Sequence, residues 1–268
     1  MKLRYDPYQV FRLSKTPAGL YARQRWLGEG QSPQWKIDFQ QTTNTLLANQ
    51  LPDGSWQHAA VETISRLFGL HLTVRTSTAQ IDAALNWLLK KIDPQKVDIH
   101  AGASDVADGA DLKGLPFCQS RPMMLLTGAA LFLATIFGRG SDPMVVDVYR
   151  WLSAEGLKNR GQWFDGPSSH NIFRAMAVHP LFAKDPATAL AVEHLADLQT
   201  DAGEWKTLPF YQTLNALAHL DLPLVETQLE GAFRRLYENQ NSDGTWSRSE
   251  PEWNTFLAIH ALRNKGLL

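Results

Sequence analysis

One turn pattern constrains this chain more than any other feature. Gln50-Leu-Pro-Asp53-Gly54-Ser-Trp56 returns as Gln240-Asn-Ser-Asp243-Gly244-Thr-Trp246, and Gln199-Thr-Asp201-Ala-Gly203-Glu-Trp205 keeps the Gln-to-Trp spacing with the aspartate moved. A fourth copy, Arg160-Gly161-Gln-Trp163, retains the Gly and the Trp but has lost the Gln. With tryptophans at 163, 205 and 246, the period is about 40 residues, the mark of a repeat fold whose units bury their apolar faces only by stacking. The gap from Trp56 to Trp163 leaves room for one more unit, with a degenerate turn expected between Asp105 and Pro116.

Helical periodicity precedes and follows every turn. Apolar residues at three- and four-residue steps predict helices over Trp35–Asn49, Ile81–Ile92, Val145–Leu157, Ala187–Leu198 and Val225–Asn239 ahead of the turns, with Asp-Pro pairs at several starts. Behind the turns the same reading gives Val61–Leu70, Pro122–Phe137, Ser169–Val178, Phe210–Leu220 and Trp253–Arg263. No segment alternates apolar and polar residues as a strand would, so the class is all-α. The expected architecture is one domain over residues 1–268: an N-terminal arm and helix over 1–34, then helical hairpins over 35–268. These hairpins either stack as an open solenoid or close as an α/α toroid of five to six units, in which Pro17–Leu27 supplies the extra inner helix.

Composition narrows the partners. With 26 Lys and Arg against 27 Asp and Glu there is no basic surplus for nucleic acid, whose affinity comes largely from phosphate neutralisation. The most apolar run, Met123 to Phe137, is shorter than the roughly 20 residues that cross a bilayer and reads as a buried helix, not a transmembrane segment. A start without a secretory apolar region, and the single cysteine Cys118, lead us to expect a cytoplasmic protein.

The post-turn helices align without gaps on Thr63, Asn171, Thr213 and Thr255. One residue ahead lie Ile64, Ile172, Leu214 and Phe256, and four ahead Leu67, Ala175, Leu217 and Ile259, a face expected to meet the pre-turn helices. The opposite face carries Glu62 with Arg66, His170 with Arg174, Gln212 with Ala216 and Asn254 with Ala258. Small residues on a polar face imply something close beside them. In a closed ring this column is expected to line the lumen, with Glu62, His170, Gln212 and Asn254 as a collar at one mouth and Tyr211 and Trp253 just ahead of it, placed to touch an apolar ligand.

The Gln-x-x-Asp-Gly-x-Trp turns resemble the QW-type repeats of the terpenoid cyclase and protein prenyltransferase superfamily. The stretches Thr16-Pro-Ala-Gly-Leu-Tyr-Ala-Arg-Gln-Arg-Trp-Leu-Gly and Leu70-His-Leu-Thr-Val-Arg look like those of single-toroid bacterial prenyltransferase-like and squalene-cyclase-like proteins. That resemblance implies an α/α toroid with the post-turn helices inside. It also implies an isoprenoid-type enzyme acting on a polyprenyl or similar apolar substrate in the central cavity, by acid-initiated cyclisation or isomerisation or by prenyl transfer.

Each chemistry asks for particular residues. Cyclases of the superfamily protonate an alkene with an Asp-x-Asp-Asp aspartic acid and normally carry two such domains; that motif is absent here. Asp105, Asp108 and Asp111 are the nearest acidic cluster, where crowding would raise one carboxyl toward a general acid, or the set would bind magnesium-diphosphate. Their competing reading is a solvated, helix-capping loop. The prenyltransferases hold zinc through Asp-x-Cys and a later His. Here Cys118 and His170 offer two of those ligands, with Pro116 where the aspartate would stand. Arg121 and Arg174 could clamp a diphosphate, and Glu62, His170 and Arg174 would orient the substrate. A non-catalytic toroid that binds an apolar ligand or a protein partner is the alternative, and a sugar-processing α/α barrel fits the turns less well.

Overall fold

The computed structural model describes residues 3–92 and 111–268. Eleven α-helices form there, and no β-strand among the described residues. Six make an inner ring: α1 (Pro17–Arg25), α3 (Ala60–Thr73), α5 (Pro122–Ala134), α7 (Gly166–Val178), α9 (Phe210–Leu217) and α11 (Pro251–Asn264). Each packs on the next in that order, and α11 packs back on α1, so the ring closes. Around it stand α2 (Pro33–Leu47), α4 (Ala79–Lys90), α6 (Pro143–Lys158), α8 (Pro186–Leu198) and α10 (Pro223–Glu238). The ten helices expected from periodicity are all present, and the Pro17–Leu27 segment supplies the sixth inner helix. The degenerate turn expected between Asp105 and Pro116 lies mostly outside the described residues.

Helix starts follow the sequence closely. Seven of these helices begin with proline at their first position, where its missing N–H costs nothing. Side chains of Thr16, Ser32, Thr78, Asp165 and Asp185 cap α1, α2, α4, α7 and α8. Helix α5 is apolar on every side because it is buried on every side, from Met123 through Ala134. By length and composition the run Pro122–Arg139 could cross a membrane, yet it sits within the ring between α3 and α7.

The repeated turn is a clasp between successive outer elements. Gln50 Nε2 donates to the Gly54 carbonyl and to the Gln80 carbonyl of α4, both at 2.8 Å. Gln199 reaches the Gln228 carbonyl of α10 at 2.8 Å. Gln240 instead grips the N-terminal arm: it donates to Tyr5 O at 3.1 Å and accepts from the backbone N–H groups of Arg4 and Tyr5. Glycine is required twice over in each turn. Gly54, Gly161, Gly203 and Gly244 all have φ between 77 and 93°. A Cβ on them would lie 2.4 Å from Ala83 O, 2.2 Å from Ala191 N, 2.4 Å from Gly231 O and 2.0 Å from Asp6 O. The four turn tryptophans are buried, and Trp56, Trp163 and Trp246 donate their indole N–H to the carbonyls of Ala48 at the end of α2, Leu152 within α6 and Leu236 in the last turn of α10.

Candidate functional site

A cavity of about 290 Å³ occupies the centre of the ring, toward the carboxyl ends of the inner helices. Its walls are aromatic: Phe68 from α3, Phe132 from α5, and Trp253 and Phe256 from α11. Trp253 stacks on Phe256 with ring centres 5.4 Å apart, and Phe68 meets Trp253 edge-on at 5.8 Å. The polar residues share a character. His71, Arg75, Arg174, Asn215, His219 and His260 face the cavity, and no carboxylate lines it among the described residues. A second pocket of about 510 Å³ adjoins it at the amino-terminal mouth, sharing Phe68, Leu72 and Trp253, with Lys113, Glu250 and Glu252 at its edge.

Arg174 is the most costly residue of this wall. Its guanidinium is buried, 3% exposed, and finds only neutral partners: Asn215 Oδ1 at 2.9 Å, the Gln212 carbonyl at 3.4 Å and the face of Phe132 at 5.3 Å. Nε has no partner at all. Arg23, equally buried between α1 and α2, shows the usual solution, with Asp38 at 2.8 Å and Glu29 at 2.9 Å. Without such carboxylates, burial pulls the Arg174 pKa down to about 9. Arg75 carries another cost. It follows α3 in the left-handed region, φ 66°, where glycine is preferred, and holds its guanidinium over Tyr21 at 5.3 Å.

Three imidazoles complete the polar wall. Burial, then Arg75, His260 and Arg174, holds His71 down to about 3; burial, then Arg174 and Arg75, holds His260 at about 4. His219 opens to the cavity yet is ringed by protein, which with His260, Arg174, His71 and Lys265 pushes it well below 6.5. All three are therefore neutral donors and acceptors at pH 7. Hydrogen bonds fix one tautomer. Arg174 can only donate, so Asn215 turns Oδ1 toward it; Nδ2 then faces His260 Nδ1 at 3.2 Å and must donate, leaving the His260 proton on Nε2. His71 Nδ1 and the Trp253 indole N–H are buried without partners.

Of the site residues expected from sequence, Arg174 and Trp253 line this cavity, and the other described ones sit elsewhere. Arg66 pairs with Glu62 at 2.5 Å and donates to the carbonyls of Thr45, Leu46 and Ala48, satisfying the end of α2. Asn254 bonds the Ser249 carbonyl, Tyr211 packs edge-on against Phe210, and Gln212 offers its backbone carbonyl to Arg174. Arg121 is exposed, 3.5 Å from Asp165 and over Phe164. Asp111 is exposed and caps the Lys113 N–H; Asp105 and Asp108 lie outside the described residues. The collar column does not form a mouth because its small members serve the helices themselves. Ala216 and Ala258 are fully buried, on two helices that pack on each other.

Cys118 and His170 do meet, Sγ to Nδ1 at 3.1 Å, but below the surface and away from the lumen. Asn171 ties the loop there through the Cys118 N–H and carbonyl, both at 2.8 Å. Burial raises the thiol to about 12 and lowers the imidazole to about 3. One thiol and one imidazole are too few ligands for zinc, and no group of three or more His, Cys, Asp or Glu suited to a metal occurs among the described residues. A lone Asp111 likewise makes no magnesium site there.

The residues missed by sequence reasoning, His71, Arg75, Asn215, His219 and His260, share a signal. Each lies in the second half of an inner helix or just past it, and three of the chain's 8 histidines recur there.

No protein-family model and no curated protein sequence matches the chain. Solved structures do. A protein from Actinoplanes aligns with TM-score 0.59 at 16% identity, over 94% of this chain and 89% of that one. The type II terpene cyclase MstE from Scytonema, in complex with the substrate geranylgeranyl dihydroxybenzoate, aligns with TM-score 0.59 at 12% identity, over 95% and 87%. A variant of MstE with the product merosterolic acid A gives 0.58 at 13%, over 95% and 88%. The chain thus has a terpenoid cyclase-like fold.

Proposed function

We propose that the central cavity takes an isoprenoid chain carrying an anionic head group, and that the protein acts on it as a terpenoid cyclase-like enzyme. One observation carries this reading: two guanidiniums and three imidazoles, with no described carboxylate among them, converge on a cavity walled by Phe68, Phe132, Trp253 and Phe256. Buried unpaired cations are retained where an anion is to be met, and aromatic faces steady a carbocation that water would quench. The MstE structures support the ligand class, since those cyclases hold a prenylated dihydroxybenzoate or its product. Size supports an extended pose. At about 290 Å³ the cavity is at the small end of the roughly 300–1,000 Å³ usual for ligand sites, so a farnesyl or longer chain would run past Phe68 and Trp253 into the adjoining pocket.

Incubation with farnesyl and geranylgeranyl diphosphate, and with the corresponding acids and alcohols, with and without magnesium, tests the proposal by product analysis. Consumption of the acids without loss of the head group indicates an acid-initiated reaction, while consumption of the diphosphates alone with pyrophosphate release indicates ionisation or transfer. The lack of a described carboxylate in the lumen favours one second reading, ligand carriage without turnover. Tight binding with unchanged ligand recovered after prolonged incubation would mark it, and no binding of any isoprenoid would overturn both.

A further inference from the structure

We infer that Arg174, Asn215 and His260 form a relay through which the lumen receives an anionic head group together with one proton. The inference rests on the lumen being the ligand site. Its basis is the direction of the hydrogen bonds. Asn215 Oδ1 accepts from Arg174 Nη2 at 2.9 Å, and the same amide points Nδ2 at His260 Nδ1, 3.2 Å away. While that holds, a proton on His260 Nδ1 would place donor against donor. The imidazolium needs the Asn215 amide to turn over, and turning it would set Nδ2 against Arg174, again donor against donor. The two cations therefore exclude each other for as long as Arg174 leans on Asn215.

An anion breaks this deadlock. Arg174 lines the cavity while its buried Nε has no partner, so a phosphate or carboxylate that draws the guanidinium toward the cavity gives it the charged acceptor it lacks, and charge-assisted bonds exceed the bond to a neutral amide. Released from Arg174, Asn215 can turn Oδ1 toward His260 and accept from a protonated Nδ1. The charges around His260 act in the same sense. Facing it are Tyr21 from α1, His71 and Arg75 from α3, Arg174 from α7 and His219 after α9, while Phe132 and Ile136, which α5 and the turn after it contribute, do not titrate. Burial, then Arg174 and Arg75, depress His260, and an anion seated between the two arginines offsets their share. The proton arrives from solvent and resides on His260 Nδ1; no covalent bond changes.

Calorimetric titration in two buffers of different ionisation enthalpy tests the relay, with farnesyl diphosphate, farnesol and inorganic pyrophosphate as probes. The expected result is uptake of a fraction of a proton with farnesyl diphosphate at about pH 5.5, between the depressed His260 value and that of a free imidazole, and none with farnesol. Uptake should vanish in His260→Gln and in the isosteric Asn215→Asp, while binding persists. In Asn215→Asp the carboxylate should hold His260 protonated in the free protein, visible as an imidazole titrating above 6.5 by NMR. Binding of farnesyl diphosphate without uptake, or with uptake equal in His260→Gln, overturns the relay and leaves the isoprenoid reading standing. Uptake with pyrophosphate but no gain from the farnesyl chain upholds the relay and overturns the isoprenoid reading. Silence with all three probes overturns both.

Discussion

His260 turns its Nδ1 to the amide nitrogen of Asn215 at 3.2 Å, and by doing so is held as the neutral tautomer with its proton on Nε2. The contact joins α9 to α11 inside the ring, and it places a defined donor among the aromatic rings of the cavity. The pairing explains why acid should act on this protein through its interior before its surface.

Stability is expected to fall as pH drops from about 6.5 toward 4. His71, His170 and His260 hold pKa values of about 3, 3 and 4 when folded against 6.5 when unfolded. Across that window the unfolded chain binds more protons, so lower pH favours unfolding, and above 6.5 all are neutral in both states and the effect ends. Each contributes about 1.4 kcal/mol per pH unit at most, with the loss for His260 ending near pH 4. Urea midpoints across the range check this, and His260→Gln should flatten the slope.

Arg174→Met should leave the fold as stable as before or more so. Methionine fills similar space and removes a buried cation that no carboxylate compensates, a change that is neutral or stabilising by about 1–4 kcal/mol in comparable sites. The same variant should lose roughly tenfold or more in affinity for an anionic isoprenoid, the worth of a charge-assisted bond of about 1.5–3 kcal/mol. Thermal melts and ligand titration on one preparation separate the two effects. A large drop in melting temperature would show that Arg174 is a structural support.

Gly244→Ala should cost more than about 2 kcal/mol, since it adds left-handed strain to a Cβ 2.0 Å from the Asp6 carbonyl. Gly266 has φ 67° with open space around it, so Gly266→Ala carries the strain alone, about 1 kcal/mol. Chemical denaturation of the pair measures the clash by difference.

Cys118 should react with thiol reagents at neutral pH far more slowly than an unfolded cysteine, because its pKa near 12 leaves almost no thiolate and the residue is buried. Labelling rates with and without denaturant check this. Fast labelling of the folded protein would instead point to a pathway from solvent to the Cys118–His170 pair.

The ring was legible in the sequence because its turns are chemically singular. Gln, Gly and Trp at fixed spacing each have one task, and Pro at the helix starts sets the frame. The lumen was legible only in part. Thr63 and Thr255, used to align the inner helices, do share a role, accepting from the backbone N–H of Trp56 and Trp246. In the fourth copy Ser169 takes that role for Trp163, and Asn171 is diverted to the Cys118 loop. The aligned column is thus rotated on α7, and apart from Arg174 the polar column that looked lumenal satisfies helix ends and interhelical contacts. Phe256, expected to face outward, lies in the cavity wall.

The grip of Gln240 on Arg4 and Tyr5 has a consequence in time. Arg4 and Tyr5, made before the rest of the ring, have no seat until one of the last clasps exists, so the hollow cannot take shape progressively as an open array of hairpins could. It comes into being in one late event, and a nascent chain stalled before residue 240 would present its future interior, aromatic rings and unpaired arginine together, to whatever surrounds it.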